Sequence, residues 1–178
     1  MQRIDLLPLM GTSQDIVNFL TYSLGELFNV PCHILEKKVP IIQAYNNERK
    51  QYHSTEIIRR LLPLAEGNNH YVLGVVDVDL YIPILTFVYG EAQLNNRCAL
   101  VSTYRLNQQF YGLPADEAVL LRRSEKEAAH ELGHTLGLTH CPLFECVMHR
   151  SNSVEGIDIK RSVFCPVCSE QIGISSRW

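Results

Sequence analysis

The chain has 178 residues, 46% of them hydrophobic and 20% charged, with a formal net charge of −3. That is enough for one ordinary domain with a sizeable core, and the slightly acidic balance argues against a nucleic-acid or membrane-surface binder. No stretch approaches the roughly 20 apolar residues of a membrane span, and residues 1–10 lack the basic region and long apolar run of an export signal, so the expectation is a soluble, cytoplasmic protein without a pro-segment.

Residues 4–10 read as a first strand. Thr12-Ser13-Gln14-Asp15 has the Thr-x-x-Asp pattern of a helix start, and Ile16, Leu20, Leu24 and Leu27 recur at helical spacing as far as Phe28. Residues 31–39 form a second strand candidate, and a weaker helical pattern over 47–62 stops before Pro63. The leucine stripes are core positions. Residues 71–78 are a dense β-branched run around Gly74, the pattern of a strand buried on both faces. Two further strands, 87–94 and 98–106, flank Asn95-Asn96-Arg97. Pro114-Ala115-Asp116-Glu117 opens a long helix, with Pro near its first position and acids that complement the helix dipole; it runs through Leu136. A small helix is expected around 158–163. Cys32 and Cys98 lie inside apolar runs and read as small buried residues. The order of elements is that of an α/β protein without repeats or linkers.

The run His130-Glu131-Leu132-Gly133-His134-Thr135-Leu136-Gly137-Leu138-Thr139-His140 fits HExxHxxGxxH at each specified position. Four residues advance a helix by slightly more than one turn, so His130 and His134 leave the same face. Glu131 stands beside the first ligand, where its carboxylate can reach a metal-bound water without binding the metal. Gly137 can take the left-handed conformation that ends a helix, and His140 returns from the loop as third ligand. Three protein ligands leave a fourth position for water, the mark of a catalytic zinc.

Cys141 and Cys146, then Cys165-Pro166-Val167-Cys168, have the number and local spacing of a closed four-cysteine zinc site. The other readings are a reducible disulfide and a thioredoxin-like redox pair; a redox CxxC normally opens a helix after a strand in a βαβ unit, whereas this one comes near the carboxyl end, and a metal is favoured where no export signal is seen. Because Cys141 directly follows His140, a structural zinc would hold the backbone that presents the third histidine.

These residues carry a family resemblance. The sequence from His130 to His140 resembles the metzincin clan of zinc peptidases, with Met148 where that clan places its Met-turn. The series Cys141, Cys146-Val147-Met148 and Cys165-Pro166-Val167-Cys168 is similar to the archaemetzincins, one-domain members with a second zinc. The resemblance implies a metzincin-like zincin fold: a twisted mixed sheet with an antiparallel edge strand, two main helices including the active-site helix, and a small C-terminal subdomain with Met-turn and Cys₄ zinc. On that division 1–137 is an upper subdomain and 138–178 a lower one within a single domain over 1–178. It also implies that residues 86–92 are the edge strand over the cleft, which pairs with extended substrate; an ordinary core strand is the equal alternative. Some subfamilies place a tyrosine two residues after the methionine, and this chain has Arg150 there, so oxyanion stabilisation falls to the zinc.

The implied activity is hydrolysis of peptide bonds through a zinc-bound water, with Glu131 as general base and two zinc ions per chain, one catalytic at His130, His134 and His140 and one structural at Cys141, Cys146, Cys165 and Cys168. Peptides or unfolded chains are the expected partners of a monomer, with neither nucleic acid nor membrane. A zinc-holding, peptide-binding protein with little turnover is the alternative, although the intact Glu131 speaks against it. A nucleic-acid-binding Cys₄ ribbon would need more basic and aromatic residues than Lys160, Arg161 and Phe164 near Cys165–Cys168.

Overall fold

The computed structural model describes residues 1–65 and 70–178. The first apolar run forms β1 (Arg3–Pro8). Ser13 then starts α1 (Gln14–Phe28) by accepting the Asp15 N–H at 3.2 Å. Thr12, the expected first capping residue, instead donates its hydroxyl to the Val75 carbonyl at 2.6 Å and ties the turn to the sheet. Strand β2 (Cys32–Ile34) is shorter than the 31–39 expected.

The segment 47–62 departs most from its sequence pattern. Only its second half is α-helix. Asn46 Oδ1 accepts the N–H groups of Glu48 and Arg49 at 3.0 and 2.9 Å, which bends the chain into a turn in competition with a helix. Short strands β3 (Tyr45–Asn46) and β4 (Gln51–His53) pair antiparallel across it, and α2 (Ser54–Leu61) follows.

Strand β5 (His70–Val76) runs at the centre of the molecule, followed by the short β6 (Leu80–Tyr81), which pairs parallel with β4. Strand β7 covers only Gly90–Ala92 of the expected 87–94: Val88 instead bridges Leu80, donating its N–H to the Leu80 carbonyl at 3.0 Å, and Arg49 and Gln51 hold the Leu85 and Thr86 carbonyls just before it at 2.7–3.1 Å. Strand β8 (Cys98–Ser102) ends early as well: the chain turns at Thr103, whose carbonyl accepts from Leu106 at 3.0 Å.

The main sheet has the order β2-β1-β5-β8-β7, parallel except for β7, which lies antiparallel on β8 at the edge. Side chains alternate between its faces. Leu73 and Val75 join Leu20, Leu24, Ala128, Leu132, Met148 and Phe164 on one face, whereas Val72 and Val76 pack with Ile57, Ile58 and Leu61 of α2 on the other. This is why β5 reads as continuously apolar.

The long helix α3 (Glu117–Thr135) starts at Asp116, whose Oδ1 accepts the Val119 N–H at 3.0 Å; Pro114 therefore lies outside the helix. Beyond it, α4 (Val154–Ile159) sits slightly earlier than the small helix expected at 158–163. The CxxC segment opens α5 (Pro166–Ile172) with Pro166 in its first turn. Among the described residues, no helix is long and apolar enough to cross a membrane.

Candidate active site

The last turns of α3 carry His130 and His134, and the chain turns at Gly137, with φ +93°, to bring His140 back. Imidazole nitrogens of the three lie within 4.8 Å of one another, and the Nε2 atoms of His130 and His134 are 3.1 Å apart. Ligands at about 2.05 Å in a tetrahedron are separated by about 3.3 Å, so this pair has the spacing of zinc co-ligands. Each Nδ1 is spoken for: His130 Nδ1 lies 2.8 Å from the Val147 carbonyl and His134 Nδ1 2.7 Å from the Leu138 carbonyl. Donation to those carbonyls leaves the Nε2 lone pair for a metal, the outer-shell arrangement of metal-binding histidines. Burial drives the His130 pKa well down and lowers those of His134 and His140, so all three favour the neutral form that binds metal.

Glu131 lines the same cleft and is almost wholly buried. Burial pushes its carboxyl well above the ordinary range; Glu127 and Glu91 add to the effect and Lys160 opposes it. A carboxylate made more basic in this way is a better proton acceptor. Strand β7 forms the roof. A side chain on Gly90 would meet the Leu100 carbonyl at 2.6 Å and Glu131 Cγ and Oε1 at 2.7 and 2.8 Å, so only glycine lets the strand approach the carboxylate this closely. Sequence reasoning missed Gly90. An isolated glycine in a strand pattern was the available signal of a close approach.

The cleft, of about 420 Å³, runs between residues 85–92 and the segment 150–152. Met148 is fully buried beneath it, and a side chain on Gly133 would collide with its sulfur. Glu127, one turn before Glu131, accepts from Lys160 Nζ at 2.9 Å; the Lys160 side chain is completely buried and also donates to the His149 carbonyl at 3.2 Å. Removing one partner of such a pair would strand a buried charge, at a cost of about 3–5 kcal/mol. This pair fastens α3 to the segment after Met148.

The four late cysteines form a second cluster, their sulfurs all within 4.8 Å. Cys141 and Cys165 sulfurs are 3.9 Å apart, and those of Cys146 and Cys168 3.8 Å. Tetrahedral sulfurs at about 2.3 Å from a zinc stand about 3.8 Å apart, far from the ~2.05 Å of a disulfide. Burial pushes the Cys146 and Cys168 thiols up, which a bound cation reverses, since a coordinating thiol is deprotonated. Cys32 and Cys98 stand apart from this cluster; Cys98 is buried, as expected, whereas Cys32, on the edge strand β2, is only partly buried. The Cys141 N–H bonds the Met148 carbonyl at 2.9 Å and His149 Nδ1 lies 2.9 Å from the Cys141 carbonyl, so the cysteine loop, the methionine turn and His140 are one connected unit.

A helix bearing two histidines and a buried glutamate, a third histidine returning from a glycine turn and an antiparallel strand roofing the cleft define a zinc metallopeptidase. Comparison with known proteins agrees. The model of peptidase family M54 matches residues 24–173. The archaemetzincin of Methanocaldococcus jannaschii is 44% identical over 170 residues, covering 96% of this chain and 92% of the relative. Crystal structures of archaemetzincins from Archaeoglobus fulgidus, complexed with malonate, and from Methanopyrus kandleri superpose with TM-scores of 0.82 and 0.81 at 36% and 34% identity; they cover 96% and 97% of this chain, and 99% and 93% of theirs. The chain belongs to peptidase family M54, with the archaemetzincins.

Proposed function

We propose that the protein hydrolyses peptide bonds at a single zinc held by His130, His134 and His140, with Glu131 as general base. The observation that supports this best is the convergence of three neutral imidazoles and one buried, unusually basic carboxylate on one cleft. Zinc in such a site lowers the pKa of a water to about 7 and polarises a carbonyl. The chain's own residues supply the rest. Glu131 accepts the water's proton and passes it to the leaving amine. Gly90 holds the strand edge against Glu131, and an extended peptide adds its backbone to that edge. Met148 is the apolar floor of the metzincin Met-turn.

On the same reading Cys141, Cys146, Cys165 and Cys168 hold a second, structural zinc, giving two ions per chain, and residues 138–178 act as a lower subdomain beneath 1–137. The substrate is a peptide or an unfolded segment, the working unit a monomer, and the setting a cytoplasm that keeps the six thiols reduced.

The test is cleavage of a proteome-derived peptide library by zinc-loaded protein, read by mass spectrometry, beside Glu131→Ala. Loss of the general base should lower turnover by about 10²–10⁴-fold with zinc content unchanged. Equal cutting by both proteins would overturn the assignment. Binding of peptides by both, with cutting by neither, would turn the reading to a zinc-holding peptide binder.

A further inference from the structure

We propose that Arg150 is a specificity-determining residue that recognises a substrate carboxylate, so that favoured cuts fall beside a chain's own C-terminus or an acidic side chain. This rests on the peptidase reading above. The inference starts from the charges in the cleft. Its lining residues include Glu91, Glu127, Glu131 and Arg150. Glu91 accepts from the Ser54 hydroxyl and from Thr55 at 2.8 Å. Glu127 is neutralised by Lys160, and Glu131 is the buried base. Arg150 alone of the four is exposed, and it makes no hydrogen bond or ion pair among the described residues.

Elsewhere the fold uses guanidinium groups as ties. Arg105 grips both Asp79 oxygens at 2.5 and 2.7 Å, and Arg123 grips both Asp158 oxygens at 2.8 and 2.7 Å. These forks show the planar two-oxygen geometry for which arginine is suited. The fork of Arg150 has the same donors, no internal acceptor and an outlook onto the cleft.

Its mounting is rigid. The preceding residue, His149, is pinned through Nδ1 to the Cys141 carbonyl and through its own carbonyl to Lys160. These bonds fix the backbone from which the Arg150 side chain starts, so its reach is centred on this end of the cleft. Ser151 and Asn152 follow on the same wall, and Ser151 Oγ is buried without a partner. The wall at 150–152 therefore carries Arg150 as its charged residue opposite the largely apolar Leu85, Phe87 and Val88. Because the whole cleft is about 420 Å³, a carboxylate at Arg150 lies within a few residues of the bond being cut.

Two synthetic peptide libraries of identical sequences, one with free and one with amidated C-termini, distinguish the sources of the carboxylate. Each is digested by the zinc-loaded protein and by Arg150→Ala and Arg150→Lys. Charge-assisted hydrogen bonds of this kind are expected to favour carboxylate-bearing sites about tenfold. If the chain end is read, cuts near the C-terminus drop about tenfold on amidation. If a side chain is read, cuts beside Asp or Glu exceed those beside Asn or Gln in both libraries. Either preference should vanish in Arg150→Ala while neutral sites are still cut, and return in part in Arg150→Lys. Cutting without any carboxylate preference, or a preference that survives Arg150→Ala, overturns the role of Arg150 and leaves the peptidase intact. No cutting of either library by the unmodified protein overturns both.

Discussion

The histidine cluster and the cysteine cluster meet at the bond between His140 and Cys141, yet they are built on opposite principles. The first has three histidines, with His140 exposed and His134 half-buried at a cleft. The second has four cysteines, three of them buried. An open coordination position admits water and substrate; a closed one only holds chain. On the proposed two-zinc reading, the pairing teaches how a small domain can keep a loop ligand in place: the closed site anchors the open one.

The comparison makes graded predictions. Breaking the closed site should have the largest effect, because binding to a structural zinc is itself folding energy. Cys168→Ser should lose one zinc and destabilise the fold, with melting lowered by at least 10 °C if several kcal/mol are lost; unchanged melting and zinc content would show that the four sulfurs do not hold a metal. A smaller effect is expected at the open site's roof. Gly90→Ala forces a methyl onto Glu131, with overpacking of about 1–3 kcal/mol, and should cut kcat/KM by about tenfold while both zincs stay. Full activity would mean that the strand's approach to Glu131 is irrelevant to catalysis.

Much of this contrast was legible in the residues themselves. The ligand sets are local in sequence, so spacing alone groups His130 with His134, and Cys165 with Cys168. What was hidden depends on distant partners. The strand expected from Phe87 shortens to Gly90–Ala92 where Val88 bridges Leu80 instead, and Arg49 and Gln51, some 35 residues earlier, hold the carbonyls just before it. The helix expected from 47 gives way to a turn made by one asparagine side chain. Lys160, which the sequence places only near the cysteines, is buried against Glu127, and Gly90 reveals its role only when β7 is placed over α3. Helix α5 is not anticipated when the CxxC is taken only as a pair of zinc ligands; the proline in its first turn is the signal for it.

The smallest effect separates the metal-cluster thiols from the two that stand apart. Burial raises the Cys32 and Cys98 thiols to about 12. A raised pKa means less thiolate at any given pH, so at pH 8 about one part in ten thousand is in the reactive form. Neither should be alkylated in the folded protein at pH 8, and both should react once it is unfolded. Rapid modification of the folded protein would place them at the surface.

Stepwise metal removal tests the central claim most directly. A soluble chelator such as dipicolinate is titrated into the two-zinc protein, and zinc content, peptide cleavage and helical circular dichroism are followed together. The open histidine site should empty first, so that cleavage falls to zero over the first equivalent while the dichroism holds, and the fold fails only with the second. Loss of both ions and the fold in one step, or cleavage that survives release of the first ion, would contradict the division between a working zinc and a holding one.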